Sequence, residues 1–222
     1  MSVPTITLND GNRIPQFGLG VFLMPPEQTK EHVAFALANG YRHIDTAQVY
    51  GNEREVGEAI AESGIPRDEI FVTTKLWNSR QTDAPAALAE SLEKLGLDHV
   101  DLYLIHWPTP QFDTYVQAWQ SLEQLQAQGL TRSIGVSNFH QQHLRRLLDE
   151  TEVVPAVNQI EVHPSLAQFE LVDVNTELGI ATEAWSPLGR RADLSDDVIV
   201  GIADRLGRTP AQVILRWHIQ RG

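Results

Sequence analysis

Four ionisable residues, Asp45, Tyr50, Lys75 and His106, stand at or just beyond the ends of strand-like runs that are separated by helical stretches. Strand ends of a repeated strand–helix fold converge on one face, so positions far apart in sequence are expected to share a pocket. An acid, a phenol, an ammonium and an imidazole gathered there make a device for handing a proton to a carbonyl oxygen. A phenol has a reference pKa of ~10, and a nearby ammonium favours its phenolate. Lys75 is therefore expected to pull Tyr50 downward, Asp45 to keep Lys75 charged and in place, and His106 to donate a hydrogen bond that orients the carbonyl. Taken alone, Asp45 and Lys75 read more simply as an ion pair joining two strands, and His106 as a structural histidine. Tyr50, and the convergence of all four, favour chemistry.

Other residues near strand ends would line the same mouth. Phe22, Trp77, Trp107 and Trp185 each lie within two residues of one. Core packing is the plain reading for any single aromatic. Trp185 is the exception, because a flat indole closing a strand can stack on a planar ring such as nicotinamide. Beside it, Ser137, Asn138 and Gln159 offer the hydroxyl and amide groups that a carboxamide would bind.

The elements that must position these groups follow a repeating rhythm. Apolar runs suited to strands cover 71–74, 100–105, 133–136, 156–160 and 180–184, with weaker ones at 17–21 and 41–44. Gly40, Gly64, Gly96, Gly129, Gly179 and Gly207 fall where a left-handed residue ends a helix at little cost. Thr209, Pro210 and Gln212 together predict a capped helix over 210–221. Ahead of this series, 5–8 and 13–14 flank Asn9-Asp10-Gly11-Asn12, which reads as a hairpin. Seven strand–helix units are spaced by roughly 23 to 31 residues, a length suited to βα repeats. No G-x-G-x-x-G follows a strand, so a doubly wound dinucleotide fold ranks second to a (β/α)₈ TIM barrel with an N-terminal β-hairpin.

Bulk composition narrows the partners. A 222-residue chain with 42% hydrophobic residues can bury one sizeable core. Its net charge of -12 argues against nucleic acid or an anionic membrane surface. The chain has no cysteine, so there is neither a disulfide framework nor a thiolate metal site. It starts without a signal-peptide pattern and has no apolar run near the ~18 residues of a membrane span. A cytoplasmic monomer acting on a small molecule is the expectation.

Several ordered stretches carry a family resemblance: Gly40-Tyr41-Arg42-His43-Ile44-Asp45-Thr46-Ala47, Tyr50-Gly51-Asn52-Glu53, Thr74-Lys75-Leu76-Trp77 and Asp101-Leu102-Tyr103-Leu104-Ile105-His106-Trp107-Pro108. Ser133-Ile134-Gly135-Val136-Ser137-Asn138-Phe139 and Asn158-Gln159-Ile160-Glu161-Val162-His163-Pro164 follow. Together they resemble the aldo-keto reductase superfamily from about residue 4 onward. Trp185-Ser186-Pro187-Leu188-Gly189, with tryptophan where most of the superfamily has tyrosine, looks most like the bacterial 2,5-diketo-D-gluconic acid reductases.

The resemblance implies a metal-free oxidoreductase that moves a hydride from NADPH to an aldehyde or ketone, with Tyr50 as proton donor and Asp45, Lys75 and His106 completing a tetrad. It also implies that Ser137, Asn138 and Gln159 hold the nicotinamide amide, that Trp185 stacks on the ring, and that Ser186, Leu188 and Gly189 approach the pyrophosphate. Phe22, Trp77, His106 and Trp107 match substrate positions. The family's eighth strand and C-terminal tail, which hold the adenosine 2′-phosphate, are not in this sequence, so residues 1–222 are expected to form one incomplete barrel domain. Two other readings stand beside the enzyme: a nucleotide-sensing or regulatory subunit on the same fold, and an inactive fragment.

Overall fold

A computed structural model describes residues 3–222. Its main sheet has seven parallel strands in sequence order: β3 (Leu19–Gly20), β4 (His43–Asp45), β5 (Phe71–Leu76), β6 (Val100–Ile105), β7 (Thr131–Ser137), β8 (Val157–Glu161) and β9 (Ala181–Trp185). Each strand pairs with the next, and β3 and β9 form the two edges of a nearly closed barrel. The expected barrel architecture is thus present with seven strands. Helices α1 (Pro26–Ala38), α2 (Glu53–Glu62), α3 (Ala84–Leu95), α4 (Tyr115–Ala127), α5 (Gln141–Glu150) and α6 (Phe169–Glu177) connect successive strands, and α7 (Asp197–Leu206) and α8 (Pro210–Arg221) follow β9.

The sequence signals for these elements have visible physical causes. Every residue of β4, β5 and β6 is buried, as strands covered on both faces must be, so they read as near-continuous apolar runs. All six predicted helix-ending glycines sit at positive φ, between 59° and 93°. Helix α8 begins with the predicted capping box: Thr209 accepts from the Gln212 amide, and the Gln212 side chain accepts from the Thr209 amide. The largest misfit is β3, only two residues long where a run from 17 to 21 was expected. Gly18 explains part of this, because a side chain there would collide with the His43 ring, with 2.7 Å from its Cβ to the nearest ring atom.

The chain packs into two apolar layers. One lies between sheet and helices, around Val33, Ile44, Val72, Leu88, Trp119 and Leu144. The other lies inside the barrel and is closed from below by the hairpin of β1 (Thr5–Thr7) and β2 (Arg13–Pro15), whose Leu8 and Ile14 pack with Phe71, Leu102, Leu104 and Val157. Hairpin side chains also tie to strand starts, with Asn9 on the Pro155 carbonyl and Asn12 on the Arg132 carbonyl. With one end plugged, only the carboxyl ends of the strands are open. Among the described residues, no helix is long and apolar enough to cross a membrane.

Candidate active site

Strand ends bring the four ionisable residues together as expected. Asp45 closes β4, Lys75 lies one residue before the end of β5, and His106 follows β6 directly. Tyr50 closes a short 3₁₀ turn, Gln48–Tyr50, that folds the chain back over the mouth just after β4. Lys75 Nζ donates to Asp45 Oδ1 at 2.5 Å and to the Thr46 carbonyl at 3.0 Å, and stands 3.5 Å from the Tyr50 hydroxyl. The Tyr50 and His106 rings meet edge to face at a 5.7 Å centroid separation. The second carboxylate oxygen of Asp45 accepts from the Gln159 amide at 2.7 Å.

Burial and charge then set the protonation of each group. Burial alone would push Lys75 down, but Asp45, with Tyr50 and Glu183 behind it, outweighs that and holds the ammonium above an ordinary lysine. Burial lowers His106 to about 3, with the Lys75 charge adding to the effect, so the imidazole is neutral. Its Nδ1 is enclosed without a hydrogen-bond partner. Tyr50 corrects an expectation: burial pushes the phenol above its ordinary value, and Lys75 pulls it back only in part. The hydroxyl therefore keeps its proton at neutral pH, while the cation beside it is placed to stabilise a phenolate as one forms.

A barrel mouth holding an acid, a lysine, a phenol and a neutral imidazole is one observation; the kinship of the whole chain is another. Residues 16–222 match the profile of the Aldo/keto reductase family. The chain belongs to that family. An aldo-keto reductase of Mycolicibacterium smegmatis is 60% identical over 221 residues, which are 99% of this chain and 80% of that protein. The methylglyoxal reductase DkgA of Yersinia pestis is 51% identical over 221 residues, again 99% of this chain and 80% of its own length. An aldo-keto reductase of Bombyx mori, solved in complex with NADP, superposes with a TM-score of 0.92 at 40% identity, covering all of this chain and 82% of that one. Family membership makes this chain an NAD(P)H-dependent carbonyl reductase.

The remaining predicted residues of the reductase fall into two groups. Ser137, Asn138 and Trp185 form a linked set beside the tetrad: Trp185 Nε1 donates to Asn138 Oδ1 at 3.0 Å, and the Asn138 amide donates to Ser137 Oγ and to the His106 carbonyl. Gln159 belongs equally to the tetrad, since its amide is committed to Asp45. Ser186 opens the following loop with φ of 48°, and Leu188 and Gly189 continue it. Gly189 has φ of 57° and leaves no room for a side chain, whose Cβ would lie 2.7 Å from the Asp193 carboxyl. Phe22 packs on Tyr50 and Trp77 on His106, with ring centroids 5.1 and 5.3 Å apart. Phe22 and Trp107 are exposed, so they rim the mouth rather than fill it.

A buried histidine and a half-buried glutamate in the reductase's barrel were not singled out from sequence. His43 bonds Thr73 Oγ1 through Nε2, and burial lowers it to about 4. Glu183 pairs in register with Gln159 and points to the interior beside Asp45. Period-two alternation was the available signal, because His43 lies two residues before Asp45, and Glu183 two before Trp185.

Proposed function

We propose that this protein reduces a small aldehyde or ketone with NADPH, Tyr50 giving the proton that the carbonyl oxygen collects. The observation that carries the reading is the contact of one ammonium, Lys75 Nζ, with both the Asp45 carboxylate and the Tyr50 hydroxyl under a neutral His106. NADPH, when bound, supplies a hydride to the carbonyl carbon. The Tyr50 O–H bond breaks as its proton passes to the substrate oxygen, and the electron pair left on the phenol faces Lys75. Asp45 keeps that lysine charged. A neutral imidazole offers a single N–H donor, with which His106 fixes the carbonyl oxygen close to Tyr50.

The residues near Trp185 fit a nicotinamide dinucleotide. The indole is held in one plane by its bond to Asn138, whose amide also reaches the Ser137 hydroxyl, while Gln159, with its amide on Asp45, would offer its carbonyl oxygen. In an acidic chain, the loop after Ser186 places Arg190 and Arg191 together at positive φ, with the Arg190 guanidinium 5.7 Å from the Trp185 ring centre. The Arg190 guanidinium, 3.6 Å from Glu161, suits a pyrophosphate. Phe22, Trp77 and Trp107 favour a small, partly apolar carbonyl compound, and methylglyoxal, named for the Yersinia relative, is the first to try. We assign residues 1–222 to a single barrel domain, built on one seven-stranded sheet, that works as a monomer in the cytoplasm.

Tyr50→Phe tests the reading. Turnover of methylglyoxal, followed through the absorbance of NADPH, should fall by the ~10² to 10⁴-fold associated with general acid catalysis, while NADPH still quenches tryptophan fluorescence with unchanged affinity. Full activity in that variant would overturn the donor assignment. Binding of NADPH by the unaltered protein without turnover of any carbonyl compound would favour a nucleotide-sensing role.

A further inference from the structure

The interior of the barrel contains one more acid than its chemistry needs. Directly beneath the mouth, ligand atoms of His43, Asp45 and Glu183 all lie within 4.8 Å of one another. Asp45 has both oxygens engaged, one by Lys75 and one by Gln159. Glu183 does not: its Oε2 is closed to solvent and has no hydrogen-bond partner. The groups facing it are His43 and Asp45 from β4, Lys75 from β5 and Tyr50 from the turn after β4, with uncharged Gln159 on the neighbouring strand. A metal ion is a poor occupant for this cluster, because the Lys75 ammonium already takes the cation position on Asp45.

Two carboxyl groups this close cannot both ionise cheaply against a single ammonium. His43, neutral and bonded to Thr73, brings no compensating charge. We propose that Glu183 is a positioning residue of the tetrad that holds its own proton in the working enzyme, so that Asp45 alone anchors Lys75, and that losing this proton slows reduction by adding a second negative charge to the chamber where Tyr50 must become a phenolate. The inference rests on the carbonyl-reductase reading for its effect on rate, but not for the protonation itself.

Charge and burial agree with the geometry. Burial, with Asp45 adding to it, pushes the Glu183 carboxyl up to about 8, against the pull of Lys75 and Gln159. In its charged form Glu183 raises both Lys75 and Tyr50. An ammonium held more firmly is of no help to a phenol that must lose its proton beside an extra anion. Alkaline solution should therefore switch the enzyme down in two stages, first as Glu183 ionises and later as Tyr50 does.

Three measurements on the full chain test this. Infrared difference spectra of the protein alone should show the carbonyl band of a protonated carboxylic acid at neutral pH, vanishing with a midpoint near 8 and missing in Glu183→Gln. Absorbance titration of phenolate, with Tyr50→Phe subtracted to isolate Tyr50, should give a lower midpoint in Glu183→Gln than in the unaltered protein. The pH profile of kcat for methylglyoxal should show two falling steps in the unaltered protein and one in Glu183→Gln, with Glu183→Ala as the substitute if the glutamine variant does not fold. A band unchanged by the substitution, or a lower step that survives it, overturns the proposal. If no carbonyl compound is turned over, the reductase reading fails, and the infrared and phenolate titrations still decide the state of Glu183.

Discussion

Two buried aspartates, Asp101 and Asp45, anchor ion pairs at opposite ends of the barrel, and the pair on Asp45 sits among a phenol, an imidazole and a second carboxyl. Near the closed end, Asp101 on β6 takes Arg67 and the Val72 amide on one oxygen and Arg132 on the other. Arg67 also caps the Ile70 and His99 carbonyls, tying the start of β5 to that of β6. At the open end, Asp45 is satisfied just as fully, by Lys75 and Gln159. The difference lies in the neighbours. A guanidinium does not give up its proton in proteins, whereas Lys75 shares its site with a phenol, an imidazole and a second carboxyl. Saturated hydrogen bonding therefore does not mark a pair as structural; the Asp45–Lys75 pair proposed for chemistry differs in having a phenol, an imidazole and a second carboxyl around its cation.

Removing each cation sharpens the contrast. Lys75→Met should lower turnover by about as much as general acid catalysis supplies, ~10² to 10⁴-fold, because a phenolate at Tyr50 would form without its counter-charge. It should also destabilise the fold by about 3 to 5 kcal/mol, since Asp45 would be left buried and unpaired. Steady-state rates and urea unfolding of the same sample check both effects. A variant that lost activity while keeping its full stability would break the comparison, by showing that the Asp45–Lys75 pair contributes nothing to the fold.

At the closed end His99 is lowered by burial and by Arg67, so acid weakens both regions, whereas the raised carboxyl Glu183, whose stability is lost as pH rises, lies at the mouth. His43 and His106 are lowered to about 4 and about 3, so their share of stability is complete above the ordinary histidine value of 6.5 and is lost as pH falls from there. Glu183 is raised from 4.5 to about 8, so its share is complete below 4.5 and is lost as pH rises toward 8. Each group contributes a slope of about 1.4 kcal/mol per pH unit at most. Between 4.5 and 6.5 these two histidines, with His99, His143 and His218 lowered by burial as well, oppose one raised carboxyl, so stability should peak near 6.5. Glu183→Gln should abolish the alkaline decline and keep the acid one, as read from urea midpoints across pH. An alkaline decline that persisted in that variant would place its source outside the mouth.

How much of this was legible in sequence depends on distance along the chain. Asp45, Lys75 and His106 announced themselves by ending apolar runs, and the plan of strands and helices followed from apolar patterning and from glycines that must adopt positive φ. The bond from Gln159 to Asp45 spans 114 residues, and nothing local to either residue signals it. Tyr50 was placed correctly but its direction of shift was not, because sequence reveals the nearby lysine and hides the burial that outweighs it. Glu183 is hidden for a similar reason: it lies within the strand-like run 180–184, where nothing local to it signals the carboxylate across the barrel. The barrel makes it a carboxyl facing Asp45.

At the closed end, Arg67→Met should cost about 1.5 to 3 kcal/mol, the worth of hydrogen bonds to a charged group, and leave kcat unchanged. Equilibrium unfolding and steady-state rates separate those outcomes, and a drop in kcat larger than the loss of folded protein would link the two ends of the barrel.

Arg132 makes the finest test, because it shares Asp101 with Arg67 but from a different environment. Its guanidinium lies 3.3 Å from Asp101 Oδ1 with a side chain 45% exposed, against 2.8 Å and 25% for Arg67. Water and salt screen an exposed partner, and a long side chain must be ordered to hold the contact. Arg132→Ala should therefore cost no more than about 1 kcal/mol, and the cost should shrink further in high salt, whereas that of Arg67→Met should persist. Urea unfolding of both variants at low and high ionic strength measures the difference. Equal costs would mean that Asp101 is held by total charge alone, and that the hydrogen bonds Arg67 makes to the Ile70 and His99 carbonyls add nothing to the closed end.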